Sequence, residues 1–508
     1  MKPAAWRLFL SLPLCVLPVF LIHSGCESPP EAAPPPLPPY RRGLISSREL
    51  GIALRAADRV EDIPLCLSLY GRILGTATNA GLKEDAERLL HYMSEVLARH
   101  SDEEWSEEYS TALTRRYLNL GDSEKAMQLL TEKLERIRNL ENTVRKRLLF
   151  EEIIDICISG GEAFLPLLRH TMDAVLVLED PSIKTQLLAE STRRFFNKGF
   201  IRDTQNLLQL TLSQVGSIES PWEQAEIYSR IALIYNDMKN ERRAREYAEK
   251  AISEITQETA PPQGEEAAVK LGLTAENLLR LGFGQKALQI TSLIEYLWIR
   301  AETLCRMAIA SSNDSLIDRA YETASGVSSA IRRMTTLFQL DFLLAEAGLA
   351  GEVRHNLPLR SAEIAALPVL SADSFTSRLA RLYLVLGDAD NSEKTAGRIR
   401  DAYSRAAILV QLARYNEEKK RPQKSEALLE ESITLARSAG QARDRILQDV
   451  ADVYMYKKDT ARAVITAAEI EEPYSFALTT AELVRYLLET KTPLDEETFT
   501  LMEKNLYR

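Results

Sequence analysis

The sequence predicts an all-α protein: an α-solenoid of about ten stacked helical hairpins behind an N-terminal secretion segment and a proline-rich tether. Three observations carry this reading. Helix breakers are scarce, since of 21 prolines 3 fall in residues 1–25 and 7 in residues 27–39, leaving 11 for the 469 residues from Tyr40 to Arg508, and so little β-branched alternation argues against strands. A glycine or lysine followed five residues later by alanine recurs, as Gly81 with Ala86, Gly121 with Ala126, Lys239 with Ala244, Gly282 with Ala287 and Lys458 with Ala463. In three of these units a second alanine stands twelve residues earlier: Ala232, Ala275 and Ala451.

From the N-terminus, Lys2 and Arg7 precede an apolar stretch from Leu8 to Ile22, and Ser24 and Gly25 place small residues directly before Cys26. The apolar stretch is shorter than the ~20 residues needed to span a bilayer and is interrupted by Pro13 and Pro18, so residues 1–25 read as a cleaved signal peptide. This arrangement resembles the lipobox of bacterial lipoproteins, which implies a lipidated Cys26 and a bacterial cell-envelope, extracytoplasmic location. His23 departs from the aliphatic residue usual in that motif. Residues 26–43 form the linker. Its ESPPEAAPPPLPP run, Glu27–Pro39, would extend roughly 40 Å at ~3.1 Å per residue. Glu27 is not the aspartate that favours inner-membrane retention in some lipoproteins, and the resemblance then implies the outer membrane, on its periplasmic face.

The repeating unit follows from close packing. Two antiparallel helices approach closely where side chains are small, so paired alanines mark the crossing and the glycine or lysine marks the turn. Trp222 to Ile255 is the clearest unit, with Tyr228, Ile231, Ala232 and Tyr235 on one stripe and Ala244, Tyr247, Ala248 and Ala251 on the other. This unit, and the one with Leu447, Val450, Ala451, Tyr454, Ala463 and Ala467, resembles tetratricopeptide repeats, which implies a right-handed solenoid. Further turns are expected at Gly199, Gly348 and Gly387. Helix starts are marked by Ser220-Pro221-Trp222-Glu223, Ser101-Asp102-Glu103-Glu104 and Asp180-Pro181. Pro261-Pro262 with Gly264 divides the array into residues 44–260 and 261–508, and Pro493 to Arg508 reads as a capping helix.

Chemistry-bearing patterns are sparse. After the signal the histidines are His91, His100, His170 and His355, and neither HExxH nor paired CxxC spacing occurs, so no metal site is expected. Cys66, Cys157 and Cys305 lie in apolar helical contexts and read as small buried residues. Gly282-Phe283-Gly284-Gln285-Lys286-Ala287 spells GxGxxA, but a dinucleotide fingerprint needs a preceding strand and this run follows a helix, so no cofactor is expected. Neither a phosphate-binding GxxxxGK[ST] loop nor a GxSxG elbow is present, and the expectation is a non-enzyme with no catalytic residues. Glu103, Glu104, Glu107 and Glu108 suit a helix start, and Lys419-Lys420-Arg421 with Lys424 reads as an exposed turn, with a phosphate or lipid-headgroup contact as the alternative. A formal charge of -10 disfavours nucleic acid as a partner.

In tetratricopeptide-like arrays the inner face of the first helix of each hairpin lines a groove. By that resemblance the groove residues are Ser229, Asn236 and Asp237, then Glu276 and Arg280, then Gln448, Asp452 and Tyr456. A polar, mixed-charge, partly aromatic set of this kind suits protein or peptide recognition. The expected function is a membrane-anchored scaffold mediating protein–protein interaction at the cell envelope. The alternative is a transport accessory that binds a small ligand or docks a periplasmic ligand-binding protein. It predicts an enclosed pocket rather than an open groove.

Overall fold

The computed structural model describes residues 45–505 apart from 101–104, 139, 141–142, 258–263 and 493–495. The expected signal peptide, Cys26, the linker, the Ser101 capping box with Glu103 and Glu104, and the Pro261-Pro262 break all lie outside the described residues. The described residues belong to one compact unit within Pro39–Arg508 and contain no strand. In chain order the helices are α1 Arg48–Ala57, α2 Ile63–Asn79, α3 Lys83–Arg99, α4 Ser106–Asn119, α5 Ser123–Arg138, α6 Thr143–Gly160, α7 Leu165–Leu176, α8 Pro181–Asn197 and α9 Ile201–Val215. They continue as α10 Pro221–Asp237, α11 Glu241–Gln257, α12 Glu265–Arg280, α13 Gly284–Ser292, α14 Leu297–Ser311, α15 Asp314–Ser325, α16 Ala330–Glu346 and α17 Ala350–Ala365. The last are α18 Val369–Val385, α19 Ala389–Ala396, α20 Ala402–Glu418, α21 Pro422–Ala436, α22 Arg443–Tyr456, α23 Thr460–Ala468, α24 Pro473–Thr490 and α25 Glu496–Asn505.

The local signals act where the sequence places them. Asp180 accepts hydrogen bonds from the amides of Ser182 and Ile183, and Ser220 accepts one from Glu223, with proline at the first helical position in both helices. The turns at Gly81, Gly121, Gly199, Gly282, Gly348 and Gly387 all have φ between 76° and 87°, the left-handed conformation that ends a helix without a Cβ penalty. Gly282 therefore closes α12, and GxGxxA is an inter-helix turn. At the hairpin crossings Ala232, Ala244, Ala275, Ala287, Ala451 and Ala463 are all buried. Cys66, Cys157 and Cys305 are buried free thiols, each pushed up to about 12 by burial.

Helices α2 to α23 pair consecutively into eleven hairpins. Each even-numbered helix also packs on the next even-numbered one throughout, whereas most neighbouring odd-numbered helices touch slightly or not at all. A row whose even members sit closer together bends toward their side, so the even-numbered helices carry the concave face. One feature has no local signal in the sequence. Helix α24 packs on α2, and α1 packs on α24 in the place that a hairpin's second helix would take, so the two ends of the chain complete one hairpin between them. The expected capping helix is α25, which packs on α23 and pairs with α1 through Arg48–Glu496 and Arg55–Glu503, both at 3.0 Å.

Candidate functional site

The even-numbered helices are buried against neighbours on most of their circumference, which leaves one narrow exposed stripe on each. On α10 the stripe follows Arg230, Leu233 and Asp237, the 3-4 spacing of one helical face, with buried Glu226 one turn before Arg230. That spacing sorts the expected groove residues. Asp237, Arg280 and Tyr456 are exposed, and Asn236, Glu276 and Asp452 are half-buried. Ser229 and Gln448, also expected in the groove, are buried and cannot line it. Ser229 is turned about 100° from the stripe toward α12, where its Oγ accepts a hydrogen bond from Asn277 Nδ2 at 3.0 Å.

Sequence reading missed the pattern that organises this face. Ala-Glu-x-x-x-Arg occurs on four successive even-numbered helices, as Ala189-Glu190…Arg194, Ala225-Glu226…Arg230, Ala275-Glu276…Arg280 and Ala301-Glu302…Arg306. The four-residue offset stacks each glutamate beside its own arginine, and the packing of adjacent helices brings arginines to neighbouring acids. Asp155 of α6 pairs with Arg194, whose Nε lies 3.1 Å from Glu190. Glu190 is 3.6 Å from Arg230, which pairs with Glu226. Farther along, Arg306 bridges Glu302 and, at 4.0 Å, Glu276. Burial pushes the Glu226 and Glu276 carboxyls up, and their arginine neighbours oppose the shift.

The face is not uniform. Across α14 and α16 lies a cleft of about 550 Å³ lined by Trp298, Ile331, Thr335 and Gln339 with Glu302 and Arg332, the Arg332 guanidinium standing 4.1 Å over the Trp298 ring. Between α22 and α24 the face is acidic. Burial, with Asp449 and Glu482 nearby, pushes Asp452 up to about 7, against the opposing charges of Arg445 and Arg485. Arg414 stands 4.7 Å over the exposed Tyr456 ring. Among the described residues no group of three or more His, Cys, Asp or Glu is placed to hold a metal ion, and no helix is long and apolar enough to cross a membrane.

Comparison with known proteins adds one family. Residues 225–255, which make up most of α10 and α11, match the tetratricopeptide-repeat family model. No curated protein matches the chain. Among solved structures, Ton1535 from Thermococcus onnurineus NA1 is 14% identical at a TM-score of 0.29, over 68% of this chain and 99% of its own. The human IFIT1 dimer with m7Gppp-AAAA is 14% identical at a TM-score of 0.21, over 91% and 96%. A circular tandem repeat protein with novel repeat topology is 15% identical at a TM-score of 0.14, over 91% and 86%. The hairpin singled out by its paired alanines is a tetratricopeptide repeat, set within an all-α solenoid of tetratricopeptide-like hairpins.

Proposed function

We propose that the chain is a non-catalytic, lipid-anchored extracytoplasmic scaffold, which holds a protein partner against the polar stripe of its even-numbered helices at the bacterial cell envelope. The observation that carries this reading is the stripe itself: a mixed-charge surface continued from hairpin to hairpin, with the tetratricopeptide repeat of α10 and α11 in its midst. Ion-paired acids and arginines hold that surface in one arrangement, which limits the side-chain ordering cost when an extended partner binds. Cys26, preceded by small residues and followed by a proline-rich tether, supports anchoring, and Glu27 supports the outer membrane over the inner. A net charge of -10 favours protein over nucleic acid.

Photo-crosslinkers placed singly at Asp237, Arg280 and Tyr456 test the reading, with one at exposed Glu249 on α11 as the control. One partner captured from all three stripe positions and absent at Glu249 supports it, while equal capture at Glu249 defeats it. A Cys26→Ala chain is expected to leave the membrane fraction. The α14–α16 cleft favours a second reading, the small-ligand transport accessory, because its volume and its convergence of Trp298 and Ile331 with Glu302 and Gln339 suit a small molecule. Saturable quenching of tryptophan fluorescence by a ligand, abolished by Trp298→Phe, would shift the assignment to that reading.

A further inference from the structure

We propose that the turns following α20, α22 and α24 form a cationic surface that docks on anionic lipid headgroups, beside the point where the N-terminal chain joins the array. This rests on the anchoring reading above, because the anchor is what would bring this edge to a membrane. Three observations point there together. First, backbone conformation: five non-glycine residues among those described have positive φ, and four are lysines, Lys239, Lys420, Lys458 and Lys491, at φ of 61°, 58°, 64° and 53°. Elsewhere the same turn uses glycine, which adopts this conformation without strain. Lysine there is a departure from what the backbone prefers, and departures of this kind persist where the side chain has a use.

Second, charge. Lys419, Lys420, Arg421, Lys458 and Lys491 are exposed and make no ion pair among the described residues. Some of the acids beside them are engaged by other cations: Lys457 reaches Glu426 at 2.5 Å, Arg462 also pairs with Glu426, and Lys424 reaches Glu393 at 2.7 Å and Asp390 at 3.5 Å, while exposed Glu489 and Glu497 flank Lys491. In a chain of net charge -10, the turns after α20 and α22 thus present a surplus of positive charge, continued by Lys491.

Third, placement. Turns that follow even-numbered helices share one edge of the array, because those helices run parallel. The chain joins the array at that edge: the backbone amide and Oγ of Ser46 both bond Asp85 at the start of α3, at 2.9 and 3.0 Å, and Arg48 pairs with Glu496 at the start of α25, just past Lys491. Ile45 and Ser46, the first described residues, therefore lie at the edge that carries the cationic turns. A tether attached here brings this edge to the membrane that holds it, and anionic headgroups complement its charge.

The opposite edge has a different character. There, before the even-numbered helices, exposed apolar side chains gather, among them Leu65, Val144, Val177, Leu293, Ile331 and Val369, with exposed Glu61, Glu179, Glu219 and Glu471.

The test uses the full chain carrying Cys26→Ala, so that no acyl chain contributes, and co-sedimentation with phosphatidylglycerol-containing or pure phosphatidylcholine vesicles. Binding to the anionic vesicles alone, weakened by added salt, is expected. Lys420→Gly, Lys458→Gly and Lys491→Gly together should weaken it about a hundredfold, from about fivefold per lysine near an anionic surface. Glycine relieves the positive-φ strain, so the triple variant keeps its fold, and a melting curve confirms it. No binding, equal binding to both vesicles, or undiminished binding by the triple variant overturns the dock. Anchoring is read separately, by whether Cys26→Ala releases the protein from cell membranes, so the two readings fail independently.

Discussion

At the scale of single residues, Asp452 shows how position on the concave face alters chemistry. Half-buried on α22, it faces Asp449 on its own helix and Glu482 on α24, with Arg445 and Arg485 as the opposing cations. Folded, it holds its proton up to about pH 7, against an ordinary value of 3.8. The folded state thus binds more protons than the unfolded chain between those values, and stability falls as pH rises through that window. The penalty is absent below about pH 4 and complete above about pH 7. Asp452→Asn removes the ionisation and is expected to raise stability by about 1–3 kcal/mol at about pH 8, and to flatten the pH dependence below it. Urea unfolding at the two ends of the window measures this; a variant that tracks the parent at both would place the penalty elsewhere. The residue was legible in the sequence as part of a polar stripe. Its altered acidity was not, because Glu482 lies 30 residues onward and meets it only through the packing of α24 on α22.

At the scale of helices, the hairpins were readable because their determinants are local. A left-handed glycine at a helix end and a small residue at the crossing both act within one repeat, so Gly282 and Ala287 announce α12 and α13 without knowledge of the rest. The contacts between repeats follow a different logic. The resemblance to tetratricopeptide repeats places Ser229 in the groove, but helical phase turns it toward α12, where Asn277 donates to it. Gly272 on α12 marks another such contact. A Cβ there would stand 2.6 Å from Thr303 Oγ1 on α14, so this glycine serves the approach of two even-numbered helices. In an isolated helix Gly272→Ala would stabilise by ~1 kcal/mol. Here it is expected to destabilise by about 1–3 kcal/mol net, because the stiff β-branched threonine cannot easily yield. Thr303→Ala in the same chain should restore most of the loss. Denaturant midpoints of the two single variants and the double variant decide it: a double variant no better than Gly272→Ala would remove Thr303 as the cause.

For the array as a whole, the decisive contact is between its ends. An open solenoid exposes two terminal faces that need polar caps. Here α1 and α24 bury those faces against each other, through residues more than four hundred positions apart, which is why no repeat pattern announced the closure. Magnitudes decide what holds it. Arg48–Glu496 is exposed, and the partly exposed Arg55–Glu503 and Arg72–Glu482 are worth ~0–1 kcal/mol each, so these pairs set register more than strength. Leu50, Ile52 and Leu54 of α1 are fully buried, and each contributes about 1.5–3 kcal/mol by leaving water. Strength therefore resides in a ten-residue helix that precedes the first hairpin. Leu50→Asp with Leu54→Asp should unseat α1 while leaving the hairpins folded, since most hairpins depend only on adjacent ones. Helical content by circular dichroism should then fall only slightly, and the radius of gyration in small-angle scattering should rise by several Å, on the order of a tenth of that of a compact chain this long. Superimposable scattering from a folded variant would mean that α24 on α2 suffices to close the array without α1. The outcome also bears on recognition, because a closed concave face admits a partner only from its two edges, whereas an opened one can receive it along its whole length.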